Sequence, residues 1–310
     1  MSDSPRVAVL GPGGVGGVLA GALDRAGTPT TVVARESTAE LIAERGQTVH
    51  SVLLGDFVAH PAVTAQLREP VDLLVVATKA VGLPQALERV HVDPPIVLPL
   101  LNGLDHLAVL RERFPTSPGA PARVLAGAIR IEADRPEPGV AVHTSPFLLV
   151  DVASDDPSAG PSARAVVDVL EAAQVPARAL ASEAEVMWSK LVRLNALACT
   201  TSAFGMLLGP IRSTPELRAQ LVGSIEEGAA AARAEGARDT AARAIADLDL
   251  AHETLGSSMA RDIAAGREPE LDAIPGAVLR AAARHGIPCP VIEGLVAMIV
   301  ERTGLPAPRV

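Results

Sequence analysis

At 310 residues the chain is long enough for two domains with cores of their own, and 48% hydrophobic against 20% charged residues excludes a disordered protein. A net charge of -9, no Lys/Arg cluster and only 2% aromatic residues exclude the basic and stacking surfaces that nucleic acids need. No apolar run reaches the roughly 18 residues of a bilayer span, so no membrane partner is expected.

Met1-Ser-Asp-Ser-Pro5 carries no basic n-region, so no signal peptide is expected, and the chain runs directly into strand-like sequence. Arg6–Leu10 is the first apolar run of strand type, Val15–Ala26 has helical spacing, and Thr30–Ala34 is rich in β-branched residues. Val71–Ala77 and Ile96–Leu101 are continuous apolar runs, as strands buried on both faces should be. Strands alternating with helices predict an α/β fold, a Rossmann-type, doubly wound parallel sheet. Arg123–Ile131 and Val140–Val152 read as later strands around a turn at Arg135–Gly139, and Ala163–Ala173 reads as a helix. From about Ser182 the strands stop. Helices are predicted over Ser182–Leu208, Thr214–Glu235, Thr240–Ala265, Pro275–His285 and Val291–Thr303, with Gly236, Gly266 and Gly286 as stops. The division expected is an N-terminal dinucleotide-binding domain over 1–181 and an all-α C-terminal domain over 182–310 that holds substrate. The only cysteines, Cys199 and Cys289, lie far apart in apolar settings, which suits buried free thiols and a reducing cytoplasm.

Gly11-Pro-Gly13-Gly14-Val15-Gly16 is a Gly-x-Gly-x-x-Gly placed between a strand signal and a helix signal. Gly11 permits a tight turn, Gly13 lets backbone approach a pyrophosphate, and Gly16 allows close helix–strand packing; Gly14 opens the helix whose N-terminus would face the anion. A dinucleotide is therefore expected. At the end of the second strand, where an NAD site places Asp or Glu, the chain reads Thr31-Val-Val-Ala-Arg35. A guanidinium suits a 2′-phosphate bidentately, which favours NADP(H), although Glu36 follows directly. Lys79 closes the third strand run at its carboxyl end, where a phosphate or ribose contact stands beside a helix-start surface charge. Asn102, in Leu-Leu-Asn102-Gly103, reads equally as a ligand contact or a turn.

Among 27 Lys and Arg residues only Lys79 and Lys190 are lysine, and only Asn102 and Asn195 are asparagine. A chain that writes nearly every cation as Arg keeps Lys where a guanidinium would fail, because a desolvated ammonium can release its proton and Arg cannot. Lys190 lies in Met187-Trp188-Ser189-Lys190-Leu191 beside the only Trp. Ser257-Ser258-Met259 and Arg267-Glu-Pro-Glu270-Leu-Asp272 follow. Alone, Glu270 reads equally as a first-turn carboxylate, and Ser258 as a helix-surface hydroxyl. His252 reads as part of a solvated helix face, and no metal-ligand spacing occurs.

These motifs, in this order over nearly the whole chain, resemble the ketopantoate reductase (2-dehydropantoate 2-reductase) family. The resemblance implies NADPH-dependent reduction of a small-molecule 2-oxo acid to a 2-hydroxy acid in a cleft between the domains, as in pantothenate biosynthesis. By similarity Lys190 donates the proton, Glu270 binds near the reacting end, Ser258 contacts substrate, and Asn102 touches both cofactor and substrate. The sequence departs from the family where Asn is usual, four and eight residues after that Lys; Leu194 and Ala198 stand there. Asn195 is a substitute substrate contact only if a π-bulge turns it inward, since five residues on a regular helix is about 140° of rotation. A more apolar substrate is then expected. Beside this stand a related reductase of another carbonyl or imine, and an NADP(H)-binding regulator without turnover. Oligomeric state is not set by these signals, and a homodimer stands beside a monomer.

Overall fold

The computed structural model describes residues 4–238 and 240–310, which form two compact units. One runs to Val186 apart from Asn102–Asp105; the other comprises Asn102–Asp105 and Met187–Val310.

The first unit holds strands β1 (Val7–Leu10), β2 (Thr30–Val33), β3 (Gln47–Ser51), β4 (Phe57–Ala59), β5 (Ala62–Thr64), β6 (Leu73–Val76), β7 (Ile96–Pro99), β8 (Ala126–Arg130), β9 (Ala133–Asp134), β10 (Val140–His143), β11 (Leu149–Ala153) and β12 (Ala177–Leu180). Its helices are α1 (Gly14–Arg25), α2 (Glu36–Arg45), α3 (Leu83–Leu87), α4 (His106–Arg113) and α5 (Gly160–Ala172), and α6 (Glu183–Phe204) begins in it. Five strands make the expected parallel sheet in the order β5-β2-β1-β6-β7, with Val7 level with both Thr30 and Leu73. Every residue of β1 and β6 is buried, which is why both read as unbroken apolar runs. β1 lies where the winding reverses, between β2 and β6, so the glycine turn at its carboxyl end sits at the switch point.

The later strands leave that sheet. β8, β11 and β12 form a three-stranded sheet, and β4, β3, β10 and β9 a four-stranded one. Val97 still exchanges hydrogen bonds with Arg123 and Leu125, but the next ladder position on that side is Pro99, which has no N–H to give. The run predicted over 140–152 is two strands in different sheets, separated by a turn. Asp151, 1% exposed, is clamped between the guanidinium groups of Arg130 and Arg178, which satisfies a carboxylate buried inside β11.

The second unit continues with the rest of α6, then α7 (Leu208–Ser213), α8 (Pro215–Ala234), α9 (Ala241–Leu250), α10 (Ser258–Ala264), α11 (Ala277–Arg284) and α12 (Pro290–Thr303). Within its described residues it has no strand, as the sequence predicts. The single helix expected over 240–265 is broken. Arg212 donates to the carbonyls of Leu248, Asp249 and Ala251 at 2.9, 2.7 and 2.8 Å and so closes α9; Ser257 accepts from Ala260 N–H at 3.0 Å and starts α10. His252 therefore lies in the turn beyond α9 and not on a helix face. Ahead of α11, Asp272–Gly276 is a π-helical turn. Pro275 has no N–H for the Leu271 carbonyl, and Gly276 N–H reaches it instead at 3.2 Å.

Cys199 and Cys289 are 0% and 2% exposed, and burial pushes their thiols up to about 12 and about 11; the Glu227 and Glu293 carboxylates add to the second shift. Thiolate is the reactive form. A disulfide exchange reagent at pH 8 is expected to leave both thiols unmodified in the native protein and to titrate both after denaturant is added. Rapid native modification of either one would contradict its burial.

Candidate active site

At the end of β1, Gly11 takes φ +92 and its N–H donates to Val33 O at 3.0 Å, binding the turn to β2. A Cβ on Gly16 would strike the Gly11 carbonyl, so α1 can begin this close to β1 only with glycine there. Over Gly13 an added Cβ would find nothing nearer than Ala77 O at 4.0 Å, and no side chain caps α1. The first N–H groups of this 12-residue helix have no side-chain cap and Gly13 leaves room beside them, a cradle suited to a pyrophosphate. Gly14 has a separate packing duty. A Cβ there would meet the Ala133 carbonyl carbon at 2.7 Å and Asp134 N at 2.8 Å.

Arg35 is the N-cap residue of α2, exposed, and none of the hydrogen bonds among the described residues involves its side chain. Glu36 is turned to Arg89, which donates to its two carboxylate oxygens at 3.1 and 3.3 Å and holds that carboxyl below the usual carboxylate range. Lys79 is exposed and heads the 3₁₀ turn Ala80–Gly82, at the carboxyl end of β6. Two neighbours escaped the sequence reading. Thr78 covers Gly11, its Cγ2 at 2.7 Å from an added Cβ, and its buried Oγ1 has no hydrogen-bond partner among the described residues. Arg89 had no local signal, because its partner Glu36 is 53 residues away.

The second unit gathers its own set of candidate residues. Lys190 Nζ donates to Asn102 Oδ1 at 2.8 Å, and Asn102 Nδ2 donates to Glu270 Oε2 at 2.7 Å. This fixes the amide of Asn102, its oxygen toward the ammonium and its N–H toward the carboxylate. Three residues separated by 88 and 168 positions meet in one chain of charge-assisted bonds. Gly103 makes the approach feasible: it takes φ +86, and a Cβ would strike the Ala273 carbonyl in the π-helical turn. Arg280 ties the same two segments from outside, donating to Asp105 Oδ2 at 2.6 Å and to Asp272 Oδ1 at 2.9 Å. Glu270 lies two residues ahead of this π-helical turn, and Ile274 N–H within the turn donates to the Glu270 carbonyl at 3.0 Å.

Ser258 is the first residue of α10 and partly buried. Its neighbour Ser257 makes the cap and shares a hydrogen bond with Thr201 Oγ1 at 2.8 Å. Thr201 is eleven residues after Lys190, so it falls within about 20° of it on α6. The start of α10 is thus pinned to the face of α6 that carries Lys190, about three turns along. Asn195 does not join this face. α6 is helical without interruption through it, so the inward turn that a substrate contact requires is missing. Asn195 is 0% exposed and accepts from Cys199 Sγ at 3.4 Å, a packing position. Leu194 is partly buried and Ala198 fully so, at the positions four and eight beyond Lys190. Among the described residues no group of His, Cys, Asp and Glu could hold a metal, and no helix is long and apolar enough to cross a membrane.

Comparison with known proteins matches both units to one family. The family description "Ketopantoate reductase PanE/ApbA" matches residues 7–150 and its C-terminal counterpart matches 184–303. The chain is 27% identical over 303 residues to the oxidoreductase YkpB of Bacillus subtilis, covering 93% of this chain and 96% of that protein. It is 28% identical over 311 residues to a 2-dehydropantoate 2-reductase of Mycobacterium tuberculosis, covering 97% and 98%. The fold is similar to that of D-mandelate dehydrogenase, solved with NADH and anilino(oxo)acetate, with a TM-score of 0.85 at 19% identity over 96% of this chain and 98% of that one.

Proposed function

The chain belongs to the ketopantoate reductase family of oxidoreductases acting on a C=O/CH–OH pair, and on that premise we propose that it reduces a 2-oxo acid to a 2-hydroxy acid with NADPH. The observation that carries the reading is the bonded series Lys190–Asn102–Glu270. NADPH supplies the hydride when bound. Its pyrophosphate suits the Gly11–Gly16 turn and the open N-terminus of α1, and its 2′-phosphate suits Arg35. Lys79 at the end of β6 is a further phosphate or ribose contact.

The protein's own task is to orient the carbonyl and to supply a proton to its oxygen. The Lys190 ammonium first polarises that oxygen and then gives it a proton as hydride reaches the carbon and negative charge develops. The oxygen stays on carbon as the new hydroxyl, and Lys190 is left as the neutral amine. Asn102 holds the ammonium in place through its own oxygen and is itself held by Glu270. Ser258, at the start of α10, supplies a hydroxyl for the substrate. The neighbours Leu194 and Ala198 favour a 2-oxo acid with an apolar tail over the hydroxylated ketopantoate.

The direct test is NADPH oxidation across a panel of 2-oxo acids that includes ketopantoate; no turnover with any of them would remove the reading. For the cofactor, Arg35→Ala is expected to raise the dissociation constant for NADPH by roughly ten- to a hundredfold, the worth of a hydrogen bond to a charged group. NADH should change little. Equal losses for the two cofactors would cancel the assignment of Arg35 to the 2′-phosphate.

A further inference from the structure

A carboxylate one residue beyond Arg35 is a liability for a protein that binds a 2′-phosphate. It would repel the phosphate, and it could accept the ribose 2′-hydroxyl of NADH in its place. The fold deals with this carboxylate in a specific way. Arg89, its side chain only 17% exposed, donates through Nη1 to Glu36 Oε1 at 3.1 Å and through Nη2 to Oε2 at 3.3 Å. The same Nη1 reaches the carbonyls of Ala65 at 3.1 Å and Ala34 at 3.4 Å, which fixes the guanidinium under the end of β2. Glu36 is 65% exposed, and Arg89 is the side chain that holds its two oxygens.

We propose that Arg89 is a positioning residue for cofactor choice: by gripping both oxygens of Glu36 it neutralises that carboxylate and leaves Arg35 to face a 2′-phosphate unopposed. The inference rests on the NADPH reading above and adds to it the residue that makes the reading compatible with Glu36. Arg89 need not touch the cofactor. Its effect runs through the charge of its partner, and Arg89 being removed matters only while Glu36 is ionised. The lowered carboxyl of Glu36 fits this arrangement, with the Arg89 hydrogen bond as its first cause.

The test is direct binding of NADPH and of NADH by titration calorimetry to four proteins: the unaltered chain, Arg89→Met, Glu36→Gln, and the double variant. Arg89→Met should lower the NADPH-over-NADH preference about tenfold, the scale of one partly screened charge near a phosphate. Adding Glu36→Gln should restore the preference, because the charge that Arg89 masked is gone. A merely structural role for Arg89 would weaken both cofactors alike and would not be rescued by Glu36→Gln; that result overturns the inference while leaving the unaltered chain's NADPH preference standing. An unaltered chain without NADPH preference overturns the cofactor reading and the inference together. If Arg89→Met cannot be obtained folded, Glu36→Gln alone decides. A masked carboxylate predicts unchanged NADH affinity, and a marked loss of NADH would show Glu36 acting as the ribose acceptor.

Discussion

Lys190→Ala is expected to lower kcat by about 10²–10⁴, the usual worth of a positioned general acid, while the dissociation constant for NADPH stays nearly unchanged. The separation follows from where each residue sits. The glycine turn, Arg35 and Lys79 all belong to the unit that ends at Val186, whereas Lys190 is in the other unit, bonded to Asn102. Its proposed work arises only as charge develops on the substrate oxygen, so its loss should appear in kcat and not in cofactor binding. Lys190→Arg is the sharper variant. A guanidinium keeps the positive charge but cannot release a proton near neutral pH, and its planar fork would also lose the single aligned bond to Asn102 Oδ1. Both variants should fail. An active Arg variant would reduce Lys190 to a fixed charge, and a large loss of NADPH affinity in Lys190→Ala would mean the residue helps to bind the cofactor.

The sequence made this pairing of residues legible by an odd route. Lysine and asparagine are each used twice, and Lys190 and Asn102 turn out to be hydrogen-bonded to each other. Glu270 was visible only through the family resemblance, because a carboxylate after Pro269 fits any helix start. The parallel sheet was legible because its strands are buried on both faces and announce themselves as apolar runs. β3 was not, for an equally physical reason. Its inward residues are Gln47, Val49 and Ser51, and the two polar ones find partners 92 residues away: Gln47 Nε2 donates to Gly139 O at 3.2 Å, and Ser51 Oγ bonds His143 Nδ1 at 2.9 Å. Period-two burial without apolar residues leaves no hydrophobic signal. The break between α9 and α10 failed similarly, since the cap that ends α9 comes from Arg212, far upstream in α7. Long-range partners, not local propensity, decided these cases.

The substrate itself should be chosen by the wall of α6 beyond Lys190. Four and eight residues on, that helix offers Leu194 and Ala198, a partly buried and a fully buried apolar side chain. Asn195 cannot replace the missing amides, because the unbroken helix turns it about 140° away and packs it against Cys199. A hydroxylated 2-oxo acid such as ketopantoate would therefore bring a polar group to a wall with nothing to pair it. Each unpaired buried group costs about 1–3 kcal/mol, or roughly one to two orders of magnitude in kcat/KM. A 2-oxo acid with an apolar tail of similar size avoids that cost and adds buried apolar surface, so it should outrun ketopantoate by at least that ratio. Leu194→Asn combined with Ala198→Asn is expected to reverse the order, raising kcat/KM for ketopantoate while lowering it for the apolar acid. Ala198 is fully buried, so the larger side chain must find room there; Leu194→Asn alone should give a smaller shift in the same direction if the double variant does not fold. The measurement is kcat/KM for both substrates with all three proteins. A preference for ketopantoate already present in the unaltered chain would show that its hydroxyl pairs with water or with residues outside this wall, and the argument from Leu194 and Ala198 would fall.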